Sequence, residues 1–224
     1  KADIATTGVV AIIEGNNPGK KTIALRADID ALPITETNTH DYVSTNQGVM
    51  HACGHDAHTA SLLGVAKILT ALKNEFEGTV KLIFQPSEEK LPGGAAVMIE
   101  EGVLENPKVE SIFAQHVFTP FEVGTVAFCF GNMLASTDEI YITVKGKGGH
   151  GAYPHETKDP VVMAAQMLVA LQQVVSRNMS PFQPTVLTFG KVIANGATNI
   201  IPDEVYLEGT FRAMDEKVRE QAHQ

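Results

Sequence analysis

The sequence predicts an α/β protein in which a mixed, largely parallel sheet is followed by a smaller α+β unit of ferredoxin-like order. Two observations predict it. In the first part of the chain, β-branched and apolar runs alternate with helix-periodic segments, the pattern of βαβ units. After Gly131-Asn132-Met133 the pattern shifts to a strand, a helix, two strands and the start of a helix, which is most of a split βαβ unit. These readings place residues 1–135 in one domain and residues 136–224 in another.

The elements follow in order. Residues 8–15 and 22–27 read as strands, and Asn16-Asn17-Pro18-Gly19 between them reads as a hairpin turn. From His58 the spacing becomes helical: Leu62, Val65, Ala66, Leu69 and Leu72 recur at three- and four-residue steps until Gly78. Asp56 is the expected N-cap. Residues 79–85 form a strand closed by Pro86, residues 94–101 a helix ended by Gly102, and residues 111–115 and 124–130 two further strands. In the second domain, strands are expected at 139–144, 184–193 and 204–212, with helices at 159–177 and from Glu216 onward.

Composition narrows the function classes. With 44% apolar residues among 224, the chain can build an ordinary core, and no apolar stretch approaches the roughly 20 residues of a bilayer span. Seventeen Lys and Arg against 26 Asp and Glu leave a formal charge of −9, which lacks the basic face that nucleic-acid binding needs. Cys53 and Cys129 are too few and too distant for a disulfide framework, pointing to a reducing compartment, the cytoplasm. The chain opens on Lys1, so a start further upstream is expected.

Chemistry-bearing residues fall where strands end. The second strand delivers Asp28 and Asp30, and the segment before the first helix delivers His51-Ala52-Cys53-Gly54-His55-Asp56-Ala57-His58. The next strand leads to Glu88-Glu89, and the one after it to His116. In open α/β sheets, ligands bind outside the carboxyl ends of the strands. Residues two apart in an extended loop point the same way, so Cys53 and His55 can meet one metal. The adjacent helix N-terminus is expected to favour a thiolate on Cys53. Taken singly, Cys53 reads as a buried thiol, His116 as a hydrogen-bonded histidine and Glu88-Glu89 as a solvated charge pair. Together, at one edge, they read as a site for zinc or a similar divalent ion.

Three stretches resemble signatures of the M20 amidohydrolases: Arg26-Ala27-Asp28-Ile29-Asp30-Ala31-Leu32-Pro33, Met50-His51-Ala52-Cys53-Gly54-His55-Asp56-Ala57-His58-Thr59 and Phe84-Gln85-Pro86-Ser87-Glu88-Glu89. The similarity is to the branch of hippurate hydrolase, auxin-conjugate hydrolases and N-acyl amino acid deacetylases. It continues through Gln115-His116-Val117, residues 146–154, Asn199-Ile200-Ile201-Pro202-Asp203 and Gly209-Thr210-Phe211-Arg212.

The resemblance implies a zinc-peptidase-like catalytic domain carrying an inserted lid and dimerisation domain. It also implies two divalent metal ions (zinc, manganese, cobalt or nickel), a small N-acyl amino acid as substrate, and a homodimer. By resemblance, Cys53 bridges the metals, and His55, Glu89 and His116 complete most of the ligand set. Glu88 is the general base toward a water held by the metals, and Asp30 orients a ligand. His150 steadies the oxyanion in a partner subunit's site, Asn199 contacts substrate, and Arg212 is a further substrate-binding candidate.

Lys90 departs from the Gly that usually follows the glutamate pair. The family's last histidine ligand is expected outside the chain, so these 224 residues alone are expected to be poorly metallated and inactive. The competing readings are an M20 dipeptidase or carboxypeptidase, a non-catalytic dimerising fragment, and a structural zinc protein.

Overall fold

The computed structural model describes residues 1–224, which form two compact units, Lys1–Thr125 and Val126–Gln224. The first contains β1 (Val9–Glu14), β2 (Thr22–Asp28), α1 (His55–Ala71), β3 (Thr79–Gln85), α2 (Gly94–Glu100) and β4 (Ser111–Ala114).

The four strands make one mixed sheet in the order β1-β3-β2-β4. β2 runs parallel to both β3 and β4, and β1 is antiparallel to β3. The hairpin expected at Asn16–Gly19 is therefore not formed, because β3 lies between β1 and β2. The reason lies in β3, whose seven residues are all buried. A strand buried on both faces belongs in the middle of a sheet, with neighbours on both sides.

Side chains alternate across β3. Val80, Leu82 and Phe84 pack with Leu62, Ala66 and Leu69 of α1, and Ile83 packs with Met98 of α2. Lys81 faces the α2 side and is 2% exposed. Its Nζ donates to the carbonyls of Val103, Glu105 and Pro107 at 2.8–2.9 Å, so the ammonium clamps the loop that follows α2.

Two expectations about local structure are corrected. Helix α1 begins at His55, three residues earlier than predicted, and its N-cap is Gly54 rather than Asp56. Gly54 adopts φ 82°, a left-handed conformation that suits glycine, and no side chain caps the helix. The strand expected over residues 124–130 does not form, and Val126, Phe128 and Phe130 are exposed. Its apolar alternation finds no ladder partner, and propensity alone does not hold a strand.

The second unit contains β5 (Ser136–Lys145), β6 (Gly149–His150), α3 (Pro160–Gln173), β7 (Thr185–Ile193), β8 (Ile200–Ile201), β9 (Glu204–Ala213) and α4 (Glu216–Ala222). β5, β9 and β7 form an antiparallel sheet in that order, and β6 pairs with β8. Asp159 and Asp215 cap α3 and α4, each accepting two backbone N–H groups. The helix expected over 159–177 ends its α-helical part at Gln173 and continues as a π-helical turn, Val174–Asn178.

Candidate metal centre

Because β2, β3 and β4 are parallel, their carboxyl ends share one edge of the first unit. Asp28 and Asp30 leave β2 there, Glu88 and Glu89 follow β3, and His116 follows β4. Gly54 brings Cys53 and the first turn of α1 to the same edge.

The ligand atoms of Cys53, His55 and His116 lie within 4.8 Å of one another, as do those of His55, Glu88 and Glu89. Cys53 Sγ is 3.3 Å from His116 Nε2. His55 is common to both groups, with Nε2 3.8 Å from Glu89 and 4.0 Å from Glu88. The ring is 1% exposed, and Nε2 has no hydrogen-bond partner. A buried imidazole nitrogen left bare is unfavourable by about 1–3 kcal/mol, and a cation among these donors removes that cost. Thiol, imidazole and carboxylate together suit a borderline divalent ion. The residues present therefore fit a metal.

The ligating nitrogen of His55 is left free because Nδ1 is engaged. Nδ1 lies 2.9 Å from the Asp30 main-chain oxygen and 3.3 Å from its carboxylate, so its proton goes to the carbonyl. Asp30 Oδ2 also accepts the Glu89 N–H at 3.0 Å. One residue thus holds the ring of His55 and the backbone of Glu89.

The Cys53 thiol departs from expectation. Burial pushes its pKa up, and the Glu89 and Glu88 carboxylates push it further.

A third grouping, Asp28, His55 and His58, is also within ligand distance, but Asp28 and His58 are already engaged. Asp28 binds Arg26 Nη1 at 2.7 Å and His58 Nδ1 at 2.6 Å. Burial works to raise the Asp28 carboxyl, yet the His58 hydrogen bond and the Arg26 charge hold it below the usual value. Sequence reasoning quoted His58 without giving it a part. The available signal was its spacing three residues after His55, which sets the two rings 5.5 Å apart on one helix face.

The remaining predicted residues lie in the second unit. His150 on β6 pairs with Ile200 on β8, and the Gly151 N–H donates to the Asn199 carbonyl at 2.8 Å, so His150 and Asn199 share one corner. Arg212 is near the opposite end of β9 from that corner, with Nη1 2.6 Å from Thr137 Oγ1.

The chain is 45% identical over 213 residues to an N-acyl-L-amino acid amidohydrolase of Geobacillus stearothermophilus, covering 95% of this chain and 57% of the relative. It is 45% identical to thermostable carboxypeptidase 2 of Saccharolobus solfataricus, over 96% of this chain and 54% of that protein. The chain thus spans about half the length of these curated relatives. Among solved structures, a dinuclear metal binding peptidase from the M20 family of Bacillus subtilis superposes with a TM-score of 0.72 at 38% identity, covering 98% of this chain and 55% of that one. Residues 24–222 match the profile of Peptidase family M20/M25/M40, and with that match and the relatives' identity over nearly its whole length, the chain belongs to this family.

Proposed function

We propose that the chain carries the metal-binding part of an enzyme that hydrolyses the amide bond of N-acyl amino acids. The observation that carries this reading is the bare, buried Nε2 of His55, shared between the Cys53–His116 pair and the Glu88–Glu89 pair. Relatives named N-acyl-L-amino acid amidohydrolase and N-acetyl-L-cysteine deacetylase, each 45% identical, support the substrate class.

Cys53, His55, Glu89 and His116 would hold the two divalent metal ions, which would supply Lewis acidity toward the amide carbonyl and the attacking water. Glu88 takes the water's proton and returns it to the leaving amine. Its side chain is 43% exposed against 26% for Glu89, which leaves it freer to meet water and substrate. Asp30 keeps His55 in the tautomer that presents Nε2.

In this reading the second unit is the inserted, ferredoxin-like lid and dimerisation domain. Its order β5-α3-β7-β9-α4, with β9 between β5 and β7, supports the assignment. His150 would steady the oxyanion of the other subunit of a homodimer, and Asn199, at the same corner, would contact that substrate. Arg212, near the far end of β9, would meet substrate only at a different site from theirs. Both cysteines are free, which supports a reducing compartment such as the cytoplasm, and no helix is long and apolar enough to cross a membrane.

The carboxypeptidase relative, at equal identity, favours peptide substrates as the second reading. The full-length protein should be assayed on N-acetyl, N-benzoyl and indole-acyl amino acids beside dipeptides, with and without chelator. Chelator-sensitive cleavage of the acyl amino acids is expected. A preference for peptides selects the second reading, and activity indifferent to chelator rejects both.

A further inference from the structure

Both ring nitrogens of His58 are engaged, and what they hold is the peptide next to His116. His58 Nε2 accepts the Val117 N–H at 2.9 Å, so the ring proton sits on Nδ1 and is donated to Asp28 Oδ1 at 2.6 Å. The other Asp28 oxygen binds Arg26 Nη1 at 2.7 Å, and Arg26 Nε donates to Gln85 Oε1 at 2.8 Å. Asp28 and His58 are 2% and 1% exposed, so water does not compete for these bonds.

His116 is exposed, and its ring meets the His58 ring edge-on with centroids 4.6 Å apart, a contact that leaves open which nitrogen carries the proton. Its Nδ1 lies 2.6 Å from the Val117 carbonyl oxygen, which accepts the proton and leaves the Nε2 lone pair beside Cys53 Sγ at 3.3 Å. Val117 therefore directs His116 through its carbonyl while its own N–H is held by His58. β4 stops at Ala114, so no strand partner holds this peptide instead.

We propose that His58, braced by Asp28, is a positioning residue that fixes the Val117 backbone and, through it, the tautomer and direction of His116 at the metal centre. The inference rests on reading Cys53 and His116 as metal ligands. A hydrogen bond on the far nitrogen of a ligating histidine sets which nitrogen is free to bind, and such supports are worth about 10–100-fold in metal affinity. Here the support is itself supported, one peptide further back.

The experiment titrates metal-free, full-length protein with Co²⁺, reading the thiolate-to-cobalt absorption of Cys53, and measures amide exchange at Val117. The carbonyl oxygen of H58Q falls near the place of Nε2 and can accept the Val117 N–H, whereas H58N reaches only to Asp28. H58Q should keep parental cobalt affinity and Val117 protection. H58N and H58A should lose about 10–100-fold in affinity, with faster Val117 exchange. Should H58A fail to fold, H58Q against H58M still decides. Met fills nearly the same space as Gln at this buried site but lacks the oxygen that accepts the Val117 N–H. H58M should therefore lose affinity and Val117 protection as H58N does, and equal affinity in H58Q and H58M overturns the positioning role. Equal affinity in the parent, H58Q and H58N overturns the positioning role, as does equal loss in H58Q and H58N. A parent protein that gives no thiolate band with Co²⁺ overturns the metal-centre reading, and this inference with it.

Discussion

A Cβ on Gly54 would stand 2.4 Å from Val117 Cγ2, so the turn that starts α1 and the segment that carries His116 are in direct contact. Gly54 also has φ 82°, where a side chain costs about 1–2 kcal/mol. Gly54→Ala should lower stability by about that amount and displace Val117, and metal content should fall with it. Thermal melts and metal analysis of the purified variant check both; full stability and full metal would contradict the contact.

Cys53→Ser tests the ligand set. A hydroxyl is a poor replacement for a thiolate at a borderline divalent ion. Metal content should drop sharply while the fold, read by circular dichroism, persists. Full metal occupancy in the serine variant would remove Cys53 from the centre.

The two adjacent glutamates should separate. Glu88→Gln should keep metal and lose roughly 10²–10⁴-fold in turnover, as expected when a general base is removed. Glu89→Gln should lose metal first. The opposite pattern would mean that their roles are exchanged.

Lys81 is predicted to matter for stability alone. Lys81→Met fits the hydrocarbon stem but leaves the Val103, Glu105 and Pro107 carbonyls without their donor. The expected loss is roughly 2–4 kcal/mol in denaturant unfolding. A change below 1 kcal/mol, on the order of one ordinary hydrogen bond, would show that water replaces the ammonium.

In the second unit, Asp138 makes a two-point bond with Arg219 at 2.6 and 2.7 Å, tying α4 to β5. The Arg219 hydrogen bonds hold the Asp138 carboxyl below its ordinary value. A carboxyl depressed on folding adds stability above its unfolded pKa, about 3.9, and loses it as pH falls through the lower folded value. Asp138→Asn should therefore melt below the parent at pH 7, with the gap closing below about pH 4. A gap that is constant with pH would assign the effect to packing instead.

Much of the molecule was legible in the chain. The strand run of β3, the alternation of β5 and the helical spacing of α1 are local patterns, and local patterns survive without the fold. So do the residue types of the site: Cys53, His55, Glu88, Glu89 and His116 are chemically distinctive and fall where strands end.

Other features were decided only by tertiary structure. Whether β1 pairs with β2 or with β3 depends on which strand is buried on both sides, and turn residues such as Asn17-Pro18-Gly19 do not report that. The Asn16–Gly19 segment therefore read as a hairpin that the sheet does not contain. The strand expected at 124–130 has the right alternation and no partner. The raised Cys53 thiol reflects burial first, and then carboxylates 36 and 35 residues away in sequence, at Glu89 and Glu88. His58 acquires its part only because Asp28, thirty residues earlier, and Val117, 59 residues later, converge on its two nitrogens. Sequence determines which groups are available and which elements form, because propensity and periodicity act over a few residues. Tertiary structure determines what each group meets, because hydrogen bonds and fields act through space between segments that the chain keeps far apart.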